Sequence, residues 1–244
     1  MLTDRRSAFA SALVAIVGLF VAACFFAHPI ADDLDFASSA REAGVFTAWQ
    51  QQYLTWNGRY ASNLVALATP WRLGSLAGFR AEVGCWAAAT LAALYVFLRA
   101  LGREAFTRSD VLTGGLILSV LFLAGMPAIG EGIYWFTGAA TYQAAAVLAL
   151  LHFACVVRSE GAGGLLTRAL AIALLVAVVG FNEVMTLIVL AVYVALYAWS
   201  LSDAVRHRRL FATMLAVTVV FVQIVVTLVL VGVLARARRV RRGR

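Results

Sequence analysis

Four short segments carry most of the side chains that could do chemistry. "ADDLDFA" sets Asp32, Asp33 and Asp35 within four residues. Carboxylates this close repel unless they are solvated, share a proton or hold a cation, so the cluster is a candidate proton acceptor. The plainer reading is a solvated loop start in which Asp33 or Asp35 caps the next helix. "GEGIYWFTGAATYQ", residues 130–143, combines Glu131, Tyr134, Trp135, Tyr142 and Gln143 with flexible glycines. "FNEVMT" interrupts an apolar stretch with Asn182 and Glu183. A carboxylate so near hydrocarbon is expensive and is a functional candidate by default; the alternative is a helix-turn residue wetted at the membrane surface. "WNGRY" supplies Arg59 and Tyr60.

The elements that must position these residues are hydrophobic helices. The chain has 244 residues, 63% of them hydrophobic and 13% charged. Soluble domains are roughly half apolar and about a quarter charged, and one soluble core of this size could not hide so much apolar surface. Lipid must cover it. The fold class expected is all-α, a single polytopic transmembrane bundle over 1–244.

A span needs about 20 apolar residues. Candidate spans run over 8–27, 81–98, 111–129, 143–157, 169–180, 184–201 and 210–235. For the first, a cleaved signal peptide is the rival reading, but the run is long for one, and an uncleaved anchor is expected. All 20 basic residues are arginine, a bias that suggests a GC-rich bacterial genome. With the N-terminus in the cytoplasm, Arg99, Arg103, Arg108, Arg158, Arg168, Arg206, Arg208 and Arg209 fall on inner segments, as the positive-inside rule requires. The expected location is the bacterial cytoplasmic membrane. Nucleic acid is not an expected partner, because the arginines flank hydrophobic runs.

Seven spans leave the tail "RARRVRRGR" outside. A six-span version would join 169–201 into one helix and bury Asn182 and Glu183 at mid-membrane, at a cost that favours seven. A truncated chain would also account for the tail.

Between 28 and 80 lies the one long polar excursion, an outer loop with two amphipathic helices. Val45, Trp49, Tyr53 and Trp56 recur at helical spacing up to the stop signal Asn57-Gly58. Tyr60, Leu64, Leu67 and Trp71 mark a second helix. Rings so arranged commonly anchor at the headgroup layer. Cys24, Cys85 and Cys155 read as small core residues, and His28, His152 and His207 lie too far apart for a local metal motif. There is no P-loop, GxSxG or dinucleotide fingerprint.

The acidic "DD" after the first span, the aromatic loop ending "WNGRY", the "YWFTGAATY" segment and the "NE" before a later span together resemble the GT-C class of membrane glycosyltransferases and related bacterial multi-pass proteins. The resemblance covers Asp32 to about Glu183; members are commonly longer, with more spans. It implies transfer of a sugar from a polyprenyl-phosphate donor to a glycan or lipid acceptor on the non-cytoplasmic face. Asp32 or Asp33 would be the base that activates the acceptor hydroxyl. Asp35, Arg59, Tyr60, Glu131, Tyr134, Trp135, Tyr142, Asn182 and Glu183 would line the substrate site. Such chemistry suits the residues: a carboxylate can take the proton and stabilise a cation-like transition state, and an arginine fork can hold a phosphate. A divalent metal could sit on adjacent carboxylates, although nothing requires one. The competing readings are a transporter or flippase accessory for lipid-linked sugars and an inactive or non-catalytic membrane subunit.

Overall fold

The structure, a computed structural model, describes residues 2–102, 105–159, 164–202, 213–216 and 218. The described residues are helical, with no strand among them. Ten α-helices are named in chain order: α1 Leu2–Ala23, α2 Asp32–Ala43, α3 Val45–Thr55, α4 Tyr60–Leu67, α5 Leu76–Gly102, α6 Arg108–Ala124, α7 Phe136–Gly138, α8 Ala144–Ser159, α9 Leu165–Val179 and α10 Glu183–Ser202. Among the described residues, three stretches are long and apolar enough to cross a membrane: Ser7–Phe26, Leu76–Gly102 and Phe136–Ser159. Leu165–Val179 and Glu183–Trp199 are shorter apolar helices. The expected span over 210–235 and the arginine tail lie outside the described residues, apart from 213–216 and 218.

Local chemistry sets the boundaries. α6 begins earlier than its apolar run because Thr107 and Asp110 form a capping box, Thr107 Oγ1 accepting from the Asp110 N–H (3.2 Å) and Asp110 Oδ2 from the Thr107 N–H (3.0 Å). It stops at Ala124, short of the expected Ile129, and Pro127 disfavours helical geometry at Met126 just beyond. The segment 169–201 is not one helix. α9 ends at Gly180, and Asn182 starts α10 by accepting the Met185 N–H at 2.7 Å. Gly180, Phe181 and Asn182 lie between the two helices.

The 28–80 segment differs more from expectation. Residues 32–43 form a separate helix, α2, so three helices and a 3-10 turn at Pro70–Leu73 occupy the place expected for two. Trp71 lies on that 3-10 turn, not on the face of α4, which ends at Leu67. Trp71 packs in a cluster with Phe79, Val83 and Phe136.

The bundle is built around α8, which packs against α5 and α9; α5 packs on α6, and α6 on α1. Arg80 Nε donates to the Ala27 carbonyl at 3.1 Å, fastening the start of α5 to the end of the first span. A second polar tie lies inside the bundle. His152 of α8 donates from Nδ1 to the Ala171 carbonyl of α9 at 2.8 Å, which leaves Nε2 to accept from the Tyr193 hydroxyl of α10. Buried polar groups need partners, and here three helices are registered by one ring. Cys24 is buried and Cys155 half-buried, but Cys85 is exposed, because its side of α5 faces outward and not into the core.

Candidate functional site

The acidic side chains singled out by the sequence are each held in a different way. Asp33 is fully buried, at 0% exposure. Its Oδ1 accepts from the Thr137 N–H at 2.8 Å and the Thr137 hydroxyl at 2.6 Å, and its Oδ2 from the Ile30 N–H at 3.1 Å. The start of the 28–80 segment is thereby joined to the 130–143 segment through a single carboxylate. Burial pushes the Asp33 carboxyl above its ordinary range, against the pull of the Thr137 and Ile30 donors; repulsion from Asp32 adds a smaller push upward. Asp32 is half-exposed and Asp35 exposed. Ala31, just before the cluster, has φ +46°, a conformation costly for a residue with a Cβ.

Glu82, half-buried on α5, stands beside Thr69 and within electrostatic reach of Asp33, with Oε2 buried and unpartnered. Glu82 and Asp33 come within reach of each other only through the tertiary packing.

Arg59 and Glu183 form the second junction, 124 residues apart in the chain. Arg59 Nε lies 3.1 Å from both Glu183 oxygens, and Nη2 donates to Oε2 at 2.7 Å, a two-armed grip. The carboxylate raises the guanidinium pKa further, and Tyr142 adds to the same effect. Around this pair the chain is close-fitted. Ala61 N–H donates to the Gly180 carbonyl at 2.9 Å. The Tyr60 hydroxyl, pushed up to about 12 by burial and by Tyr53, stays protonated and donates to the Val176 carbonyl. Trp49 Nε1 donates to the Tyr60 carbonyl at 2.7 Å and its ring stacks on Tyr53. These aromatics knit the outer helices together, whereas Trp56, at 63% exposure, is outward-facing as an anchor would be. Asn57 Oδ1 closes the turn before Arg59, accepting from the Arg59 N–H (3.1 Å) and Asn63 Nδ2 (2.8 Å).

Residues 130–143 are not a flexible glycine loop. They fold into two π-helical turns, Gly130–Tyr134 and Ala139–Gln143, flanking α7, and the helix from Phe136 runs on to Ser159. π-turns are rare and frequent at functional sites. Gly138 lets them nest: a Cβ there would lie 2.0 Å from the Glu131 carbonyl oxygen and 2.9 Å from the Trp135 ring. Asn182 Nδ2 donates to the Thr141 carbonyl at 2.7 Å, tying the α10 start to the same segment. Tyr134, expected at the site, donates its hydroxyl to the Phe20 carbonyl at 3.0 Å and packs with the first span.

Between the end of α6 and this π-helical segment opens a groove of about 450 Å³. Glu131, Trp135, Tyr142 and Gln143 line it with apolar walls from Phe122, Met126, Pro127 and Ala146. Glu131 and Tyr142 are exposed, while Gln143 is 3% exposed. Trp135 Nε1 and Gln143 Oε1 are buried without a partner among the described residues. Asp32, Asp33 and Asp35 are not among the lining residues. Among the described residues no three His, Cys, Asp or Glu side chains gather as a metal site would need. The arrangement can bind a polar headgroup against an apolar wall, with a carboxylate open to take a proton. The chain was compared with protein families, curated proteins and solved structures, and none of the three comparisons yielded a match.

Proposed function

We propose that this protein is a GT-C-like glycosyltransferase of the bacterial cytoplasmic membrane, moving a sugar from a polyprenyl-phosphate donor to a glycan or lipid acceptor on the non-cytoplasmic face. Seven spans with the N-terminus in the cytoplasm would put the groove on that face. The observation that carries the reading is the groove itself, in which an exposed carboxylate, Glu131, stands among Trp135, Tyr142 and Gln143 beside apolar walls. Glu131 takes the role of base toward an acceptor hydroxyl, and Trp135 offers a face on which a sugar ring can stack. Asp33 holds the groove segment in place through Thr137 and acts as a positioning residue. Asp32, half-exposed beside Asp33, lies outside the groove lining.

The test is sugar transfer from polyprenyl-phosphate donors in membranes containing each variant. Glu131→Gln is expected to lower transfer by about two to four orders of magnitude, the usual contribution of a general base. Asp32→Asn should lower it less. Undiminished transfer in Glu131→Gln would remove the assigned role.

A non-catalytic subunit that binds lipid-linked sugars is the second reading. It is favoured by Asp33 and Arg59, the acid and the phosphate-holding cation of the resemblance, both being occupied by partners within the chain. Absence of transfer by the wild type, with sugar-lipid binding retained, would decide for it.

Topology has its own expected result. Cysteines replacing Ser38 and Glu131, in a background lacking Cys24, Cys85 and Cys155, should both react with an impermeant thiol reagent added from the non-cytoplasmic side. Labelling from the cytoplasmic side would reverse the proposed orientation.

A further inference from the structure

We infer that the groove receives the headgroup of an uncharged, hydroxyl-rich amphiphile, and so is the acceptor's site and not the seat of an anionic phosphate. This assignment rests on reading the groove as a substrate site. Charge comes first. Among the described residues no arginine lines the groove, and Glu131 is the one carboxylate that does. The cation beside Tyr142, Arg59, is already held by both oxygens of Glu183. A phosphate placed here would meet the like charge of Glu131, and the Nε–Nη2 edge of Arg59 is already taken by Glu183.

Hydrogen bonding argues against a cationic headgroup as well. Among the lining residues, Trp135 Nε1 is a buried donor and Gln143 Oε1 a buried acceptor, both unpartnered. Gln143 Nε2 is committed to Thr90 at 2.9 Å, which fixes the amide with its oxygen unmet. Both atoms are covered, so a headgroup reaches them by displacing the lining; a hydroxyl, which donates and accepts, can then serve either, whereas an ammonium group would leave the indole N–H unmet. The apolar side of the groove, from Phe122, Met126, Pro127 and Ala146, accounts for the rest of the ligand: a hydrocarbon chain lies against it while the headgroup faces Glu131 and Tyr142.

Three probes with the same tail separate the headgroups: octyl glucoside, octyl phosphate and octyltrimethylammonium. Each is titrated below its micelle-forming concentration into the full chain in phosphatidylcholine nanodiscs, and binding is followed by saturation-transfer NMR of the probe. Octyl glucoside should bind saturably and at least about tenfold more tightly than octyl phosphate, with Glu131→Gln narrowing the gap. Ala146→Trp should fill the groove and abolish glucoside binding. Trp135→Phe, a gentler change, should weaken it by several-fold through loss of one hydrogen bond. Octyl phosphate or octyltrimethylammonium binding as tightly as the glucoside would overturn the inference. So would an absence of saturable binding, or glucoside binding unchanged in both groove variants. The transfer assay separates this failure from that of the enzyme reading. Transfer with a phosphate-preferring groove overturns the headgroup inference alone, and glucoside binding without transfer removes the enzyme alone.

Discussion

Asp33→Ala should be the most destabilising single substitution at the outer end of the bundle, at about 3 kcal/mol or more, since each orphaned buried donor costs about 1–3 kcal/mol. The variant strips the partner from the Thr137 N–H, the Thr137 hydroxyl and the Ile30 N–H at once. Thr137 is itself 6% exposed, so water reaches the vacated bonds poorly. Asp33→Asn should cost less, because its amide oxygen still serves Thr137 while its NH₂ confronts the Ile30 N–H. The two variants also differ from wild type in pH dependence. Burial raises the folded-state pKa of Asp33 above its unfolded value, so the ionised form is the one that folding disfavours. The associated stability is fully present below the ordinary aspartate range and is lost as pH rises through the raised pKa. Both variants should flatten this part of the profile. Unfolding in mixed micelles, followed from acidic to neutral pH, measures both effects. Wild-type-like stability in Asp33→Ala would show that the carboxylate does not hold the two segments together.

Gly138→Ala is expected to cost about 2–3 kcal/mol, the upper part of the usual range for overpacking. The added methyl would collide with the Glu131 carbonyl at 2.0 Å, and a backbone atom cannot swing aside as the tip of a side chain can. Relief requires the two π-helical turns to separate, which carries Glu131 and Trp135 away from Tyr142 and spoils the groove. Loss of stability should therefore come with loss of octyl glucoside binding. Gly130→Ala is the control in the same segment: nothing lies within 4 Å of its added Cβ, and it should be near neutral in both measurements. Equal behaviour of the two alanine variants would show that the turns do not nest as described.

Much of the architecture was legible in the residues. Apolar runs longer than a soluble core can hide, broken by arginines and by glycine-rich or polar stops, specify helices and their order with local forces alone. α3 ends at the Asn57-Gly58 turn, and α9 ends before Asn182, because capping and turn chemistry act within a few residues. The same locality explains what was missed. A separate α2 depends on packing against α3, α4 and the 3-10 turn, and Trp71 on that turn packs against α5; spacing encodes neither.

The site divides along the same line. Residue types marked Asp32, Asp33, Arg59, Glu131, Tyr142 and Glu183 as polar groups at one end of a hydrophobic chain, because burying such groups in hydrocarbon is expensive wherever they fall. Which carboxylate lies in the open groove, which is buried under Thr137 and which grips Arg59 are questions about water access and long-range partners. Only the meeting of α2, the π-helical turns and the start of α10 answers them. Desolvation is a property of the three-dimensional neighbourhood, and two adjacent aspartates, Asp32 half-exposed and Asp33 wholly buried, differ for that reason alone.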